Sequence, residues 1–215
     1  MILSGDIGGT STRLALFEAS GGLLRAAAQA RYPSRDYAGL AEIVGVFTAA
    51  HPHPILAACF GIAGPIREGR VETPNLPWVI EASRLAAQLR LAGVTLLNDL
   101  EANAWGVFTL KDEDVATLAA GIPAKDGNAA ILSAGTGLGE AGYHWDGSSL
   151  HPFASEGGHS DFAPHDELTI ELFRWLHQRY GHVSWERVLS GPGLVNIFTF
   201  LREARHRPAP VAGGP

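Results

Sequence analysis

The chain has 215 residues, of which 46% are hydrophobic and 18% charged, and it carries a formal net charge of −6. That is enough chain for one large or two modest domains around a buried core, with the composition of an ordinary soluble globular protein. The acidic balance and the lack of a Lys/Arg run argue against nucleic acid or an anionic membrane as partner. No apolar run is long enough to span a bilayer, and Met1–Asp6 lacks the regions of a signal peptide.

The first thirty residues read as β-structure. Ile2–Gly5 and Arg13–Phe17 flank a glycine-rich turn, Asp6-Ile7-Gly8-Gly9-Thr10-Ser11, and Gly21-Gly22 turns the chain into Leu23–Tyr32. Leu40, Ile43, Val44 and Phe47 fall at i, i+3, i+4 and i+7, which predicts a helix over Tyr37–Ala50. Leu56–Ile62 is an apolar run of buried-strand length. It contains the single cysteine, Cys59, expected to be a buried, inert thiol in a reduced, cytoplasmic protein. Ala82–Leu91 reads as a helix, Val94–Leu97 as a short buried strand, and Asp99 to about Phe108 as a helix. Strands and helices alternate, the pattern of an α/β fold.

A second block begins near Asp112. Ala129–Ser133 is a strand that runs into Ala134-Gly135-Thr136-Gly137-Leu138-Gly139, with Glu140–Trp145 as its hairpin partner. This β–glycine turn–β unit is a weak repeat of the opening one. Helices are expected over His165–Tyr180, just after Ser184, and over Gly193–Arg205. The tail Pro208–Pro215 has no apolar period and reads as disordered.

Four constellations carry chemistry. In the two glycine turns, backbone N–H groups stand clear of any Cβ and can cradle phosphate oxygens; each is equally readable as a plain hairpin turn. Neither is a P-loop or a dinucleotide fingerprint. Leu96-Leu97-Asn98-Asp99 delivers Asn98 and Asp99 to the carboxyl end of a strand, where open α/β sheets bind ligands. Asp99 is either the cap of the next helix or a general base for a substrate hydroxyl. In Ser155-Glu156-Gly157-Gly158-His159-Ser160-Asp161, a carboxylate and an imidazole three apart can converge on a polar ligand such as a sugar. A polar loop or a metal pair fits the same residues. His51-Pro52-His53 resembles a metal pair but sits in a Pro-broken loop and is expected to be solvated. Finally, Ser184 reads as an N-cap, with Glu186 either serving the helix dipole or accepting a hydroxyl, and Gly191-Pro192-Gly193 opens the last helix.

These segments, in this order, resemble the bacterial glucokinase family of the actin-like, sugar-kinase and hexokinase superfamily. The matching strings are Gly5-Asp6-Ile7-Gly8-Gly9-Thr10, Asn98-Asp99, Ala134-Gly135-Thr136-Gly137-Leu138-Gly139, Glu156 to Pro164, and Glu186 to Asn196. The resemblance runs from Met1 to about Arg205. It implies an α/β, two-domain actin-like (ribonuclease H-like) sugar-kinase fold hinged around a cleft, with domains over 1–110 and 111–215. It implies ATP-dependent phosphorylation of glucose to glucose 6-phosphate, with Asp99 as the catalytic base. Asn75, Asn98, Asp99, Glu156, His159 and Glu186 would bind the sugar. Asp6, Gly8, Gly9 and Thr10, with Gly135, Thr136 and Gly137, would surround the phosphates of ATP and Mg²⁺, and Asp6 would reach the metal.

Family members continue beyond the length of this chain. The second domain is therefore expected to be incomplete, the strands near Ala129–Trp145 to expose apolar edge surface, and the chain by itself to be inactive. A homodimer is expected of the full-length protein. The neighbouring repressor and open-reading-frame kinases carry a zinc-binding cysteine cluster, which a chain with Cys59 alone lacks. Two other functions fit the same fold. A non-catalytic sugar sensor has no need of a base at Asp99, and an actin-like ATPase has no need of the hydroxyl-reading set Glu156, His159 and Glu186.

Overall fold

A computed structural model describes residues 1–122, 124 and 126–203. The chain divides into two compact units, Met1–Ala124 and Lys125–Pro215. The position 110/111, read from the sequence as a domain boundary, falls within the first of them.

The first unit opens with three strands, β1 (Ile2–Ile7), β2 (Ser11–Ser20) and β3 (Leu23–Pro33), joined by the two expected glycine turns. In β1 side chains alternate: Leu3 and Ile7 enter the core while Asp6 faces out, as period two requires. Helix α1 (Leu40–Ala50) buries Leu40, Ile43, Val44 and Phe47. It starts later than Tyr37 because Ser34–Asp36 form a separate 3-10 turn. The Ala38 N–H then donates to Glu42 Oε2 at 2.8 Å, which fixes the entry.

Strand β4 (Ala57–Ile62) pairs parallel to β1. A small hairpin follows, β5 (Arg70–Glu72) and β6 (Val79–Glu81), which the sequence pattern does not announce because each strand has three residues. Helix α2 (Ala82–Leu89) leads to β7 (Thr95–Asn98), parallel to β4, and to α3 (Asp99–Val107). The sheet order is β3-β2-β1-β4-β7, so β7 is an edge strand. That position explains why the segment expected to be buried is only half-buried over Leu96 and Leu97. Cys59 in β4 is likewise half-buried rather than buried. Desolvation, and then the nearby Glu101 carboxylate, push its thiol above the usual range, in keeping with an inert role. The core packs Phe47, Phe60, Trp78 and Leu85 with the apolar residues of β1, β2 and α1.

The second unit begins with an antiparallel meander of β8 (Ala129–Ala134), β9 (Leu138–Trp145) and β10 (Leu150–Ser155), in the order β10-β9-β8. β10 contains Pro152, which obscures it in the sequence; an edge strand tolerates the missing N–H. β8 is exposed along most of its length, with Leu132 at 64%. The β9–β10 turn is tied by Asp146, which accepts hydrogen bonds from the Ser148 and Ser149 N–H groups, the Ser148 hydroxyl and the His151 ring. The Ser149 and Ser148 N–H bonds, foremost among these, hold its carboxyl below the usual carboxylate range.

Helices α4 (Glu167–Tyr180) and α5 (Gly191–Glu203) enclose a core of Phe162, Leu172, Leu176, Val183, Val188 and Phe200. Asp166 caps α4 by accepting the Thr169 N–H at 2.7 Å, while Thr169 Oγ1 accepts the Asp166 N–H at 3.0 Å. The helix expected after Ser184 is a single 3-10 turn, Trp185–Arg187, and the Ser184 side chain does not cap it. The predicted disorder of Pro208–Pro215 lies outside the described residues. Among the described residues no helix is long and apolar enough to cross a membrane.

Candidate functional site

In the first unit the turn Gly8-Gly9-Thr10 joins β1 to β2 and is fixed from below. The Gly8 N–H donates to Ser11 O at 3.1 Å, and Ser34 Oγ donates to Gly8 O at 2.7 Å. The Ser34 N–H reaches Thr10 O at 3.1 Å, and the Ser34 and Thr12 hydroxyls, both fully buried, pair at 3.0 Å. Asp6 is exposed one residue before the end of β1, opposite Arg13 and Gly61. Its carboxylate takes no hydrogen bond among the described residues.

Asn75 stands in the β5–β6 loop, which is held by Thr73 Oγ1 donating to Leu76 O at 2.9 Å. Its side chain lies over the glycine turn, since a Cβ on Gly9 would meet Asn75 Cβ at 2.7 Å. Gly9 is required for that approach and not for its backbone angle, because it is not among the positive-φ glycines.

Asn98 and Asp99 lie where β7 passes into α3. Here the capping reading of Asp99 is corrected: Asn98 is the cap. It leaves the strand in an extended conformation, φ −59° and ψ 148°, and its Oδ1 accepts the Leu100 and Glu101 N–H groups at 3.0 and 3.3 Å. Its Nδ2 donates to Gly64 O at 3.3 Å. The Asn98 side chain, 7% exposed, is thus largely committed to the fold. Asp99 begins the helix, its Oδ1 accepting the Leu100 N–H at 2.9 Å. Gly61 on β4 admits this junction: a Cβ there would meet Ala102 Cβ at 3.0 Å and Asp99 Cα at 3.7 Å.

In the second unit Gly135-Thr136-Gly137 joins β8 to β9. The Gly135 N–H donates to Gly137 O, and Gly135 O accepts the Gly191 N–H from the start of α5, both at 2.8 Å. Glu186 closes the turn from the side. Its Oε2 accepts the Leu138 N–H at 3.0 Å and fills the space where a Gly137 side chain would begin. Gly135 differs: among the described residues nothing lies within 4 Å of a Cβ built on it, and its φ is not positive.

Glu156 and His159, both exposed, flank the 3-10 turn Gly157–His159, which closes with the His159 N–H on Glu156 O at 3.0 Å. Its two glycines are there for close packing. A Cβ on Gly158 would run into Leu138 O, and one on Gly157 into the Glu140 carboxylate. Glu140 was not singled out in the sequence. Only the β9–β10 register, Glu140 opposite Ser155, brings it to this turn. Among the described residues no three His, Cys, Asp or Glu side chains group together. Of the His51-Pro52-His53 pair, His53 is exposed, while His51 packs its ring on Phe47 at 4.8 Å.

The candidate residues named from the sequence divide between the two units. One holds Asp6, Gly8, Gly9, Thr10, Asn75, Asn98 and Asp99. The other holds Gly135, Thr136, Gly137, Glu156, His159 and Glu186.

The family profile described as Glucokinase matches residues 3–212. A glucokinase of Nostoc sp. is 39% identical over 213 residues, covering 95% of this chain and 61% of the relative. A crystal structure of glucokinase from an Antarctic psychrotroph superposes with TM-score 0.81 at 30% identity, covering 95% of this chain and 65% of that one. A glucokinase from Balamuthia mandrillaris, in complex with glucose, shares the fold at TM-score 0.73 and 21% identity, covering 96% of this chain and 64% of that one. The chain thus spans about three-fifths of the curated relative's length.

Proposed function

Because the chain belongs to the glucokinase family, we propose that it carries the base, the sugar-reading side chains and the phosphate turns of an enzyme that phosphorylates the 6-hydroxyl of glucose. The observation that carries this reading is the division of labour at the β7–α3 junction. Asn98 is the cap of α3, so Asp99, whose Oδ1 shares only the Leu100 N–H, keeps its second carboxylate oxygen without a hydrogen bond among the described residues, at a strand's carboxyl end. Phosphoryl transfer needs a carboxylate there to accept the proton as the sugar oxygen bonds to phosphorus.

ATP supplies the phosphoryl group. Gly8, Gly9 and Thr10, with Gly135, Thr136 and Gly137, would offer N–H groups to its phosphates. Gly135 leaves room for an approaching phosphate, since no described atom lies within 4 Å of a Cβ built on it. Asp6 would hold Mg²⁺ together with phosphate oxygens. One exposed carboxylate plus phosphates suits that ion, which binds through few protein ligands. Asn75, Asn98, Glu156, His159 and Glu186 would pair the sugar hydroxyls. For Asn98 the remaining capacity is small, because its oxygen already accepts two N–H groups.

The full-length protein would act in the cytoplasm as a homodimer. Glucose-dependent release of ADP by the full-length protein tests the function. ADP release that is indifferent to glucose would sink it.

A further inference from the structure

The sugar-reading and phosphate-cradling residues of the second unit are joined by one short chain of contacts, and Leu138 is its centre. Its N–H donates to Glu186 Oε2 at 3.0 Å, while its carbonyl oxygen packs against Gly158 in the turn that carries Glu156 and His159. The same Glu186 oxygen presses on Gly137. The backbone behind Glu186 is held firmly. The Trp185 N–H donates to Ser160 O at 3.1 Å, Ser190 Oγ donates to Glu186 O at 2.7 Å, and Asn196 Nδ2 donates to Arg187 O at 2.9 Å. The Trp185 ring meets Phe162 edge-on at 5.0 Å. Glu186 therefore has little freedom to move except at its carboxylate. Its second oxygen, Oε1, takes no hydrogen bond among the described residues.

We propose that Glu186 couples sugar to nucleotide, one carboxylate oxygen holding the Gly135–Gly137 turn through Leu138 while the other accepts a sugar hydroxyl. This rests on the reading that the second unit binds glucose and ATP. A hydroxyl on Oε1 restrains the carboxylate, which firms its hold on Leu138 and fixes the N–H groups of the glycine turn. The ordering is then already complete when nucleotide arrives. Linkage makes the effect reciprocal: glucose tightens nucleotide binding by the factor by which nucleotide tightens glucose binding. Glu186 is in this sense a positioning residue for the phosphate turn as well as a sugar ligand.

Calorimetric titration of the full-length protein with a non-hydrolysable ATP analogue, with and without saturating glucose, measures the coupling. The expected factor in the unaltered protein is about five-fold or more. Glu186→Ala is expected to bring it to one. Glu186→Gln keeps an amide oxygen for Leu138 and a polar atom for the sugar, and is expected to retain most of it. Glu156→Ala weakens glucose binding but keeps the coupling once glucose is saturating. A coupling factor of one in the unaltered protein overturns the proposal while leaving the function intact, and so does a factor that survives Glu186→Ala. If Glu186→Ala does not fold, Glu186→Asp replaces it: a side chain one methylene shorter cannot serve both partners, and undiminished coupling there overturns the proposal equally. No glucose binding by the unaltered protein removes the functional reading and this inference together.

Discussion

The two glycine turns have the same plan and opposite surroundings. Each spans three residues between antiparallel strands, Gly8–Thr10 after β1 and Gly135–Gly137 after β8. The first rests on a buried hydroxyl pair, Thr12 and Ser34, and its strands pack one face on the larger core. The second lies on a meander whose outer strand β8 is largely exposed, and two contacts from elsewhere secure it, Gly191 on Gly135 O and Glu186 on the Leu138 N–H. A polar side chain covers one glycine in each: Asn75 over Gly9, Glu186 over Gly137. The first turn is thus shaped by its own unit's interior. The second is shaped by the Glu186 carboxylate, which reaches it from a distant point of the chain.

The largest effect expected from testing this contrast belongs to the first unit. Asp99→Asn in the full-length protein should keep glucose binding and lower the maximal rate by about 10²–10⁴-fold, read by a coupled glucose 6-phosphate assay. A variant that keeps more than about a tenth of the rate removes Asp99 from the role of base.

Next comes the support beneath the first turn. Ser34→Ala leaves the buried Thr12 hydroxyl and Gly8 O without their partner and should cost about 1–3 kcal/mol in denaturant unfolding. A loss below about 0.5 kcal/mol would mean that the first turn is no better anchored than the second.

The glycines themselves sharpen the comparison. Gly135→Ala meets no described atom and should change stability by no more than about 0.5 kcal/mol, while weakening binding of an ATP analogue several-fold. Gly9→Ala must displace Asn75 and should lower stability as well as binding. Equal loss of stability in both variants would erase the distinction between the turns.

The smallest expected effect is on acidification. Asp146 and Asp166 in the second unit both have carboxyls held below the usual range, the first chiefly by the Ser149 and Ser148 N–H groups, the second chiefly by Thr169. A lowered folded-state pKa means that the stabilisation is present above the unfolded carboxylate range. It is lost as the pH falls through about 4 and below. The thermal midpoint of the chain should therefore drop below that pH, and Asp146→Asn with Asp166→Asn should flatten the drop. An unchanged profile in the double variant would locate the acid sensitivity elsewhere.

Much of this was legible in the sequence. The α1 face Leu40, Ile43, Val44 and Phe47 is buried as its spacing requires, and both glycine turns join antiparallel strands as read. These features depend on local period and on turn residues, which act over a few positions. What escaped had another origin. The strands β5, β6 and β10 are short or contain Pro152, so their pairing partners, and not their own pattern, make them strands. Asn98 displaced Asp99 as the cap because the cap is whichever residue the strand leaves in an extended conformation, one position that no pattern resolves. Glu140 came to the Gly157 turn only through cross-strand register.

The sequence by itself determined the α/β alternation, the core faces and the motifs that place the chain in its family. Only the tertiary structure decided what the polar groups do for the fold. It committed Asn98 to Leu100, Glu101 and Gly64, laid Asn75 on Gly9, and set Glu186 against Gly137 across 49 positions of chain, one more than its 48-residue hydrogen bond to Leu138. Hydrophobic period is written along the chain and can be read there. A hydrogen bond or a missing Cβ takes its meaning from whichever atom folding brings within about 3 Å, and that neighbour is fixed by packing and register.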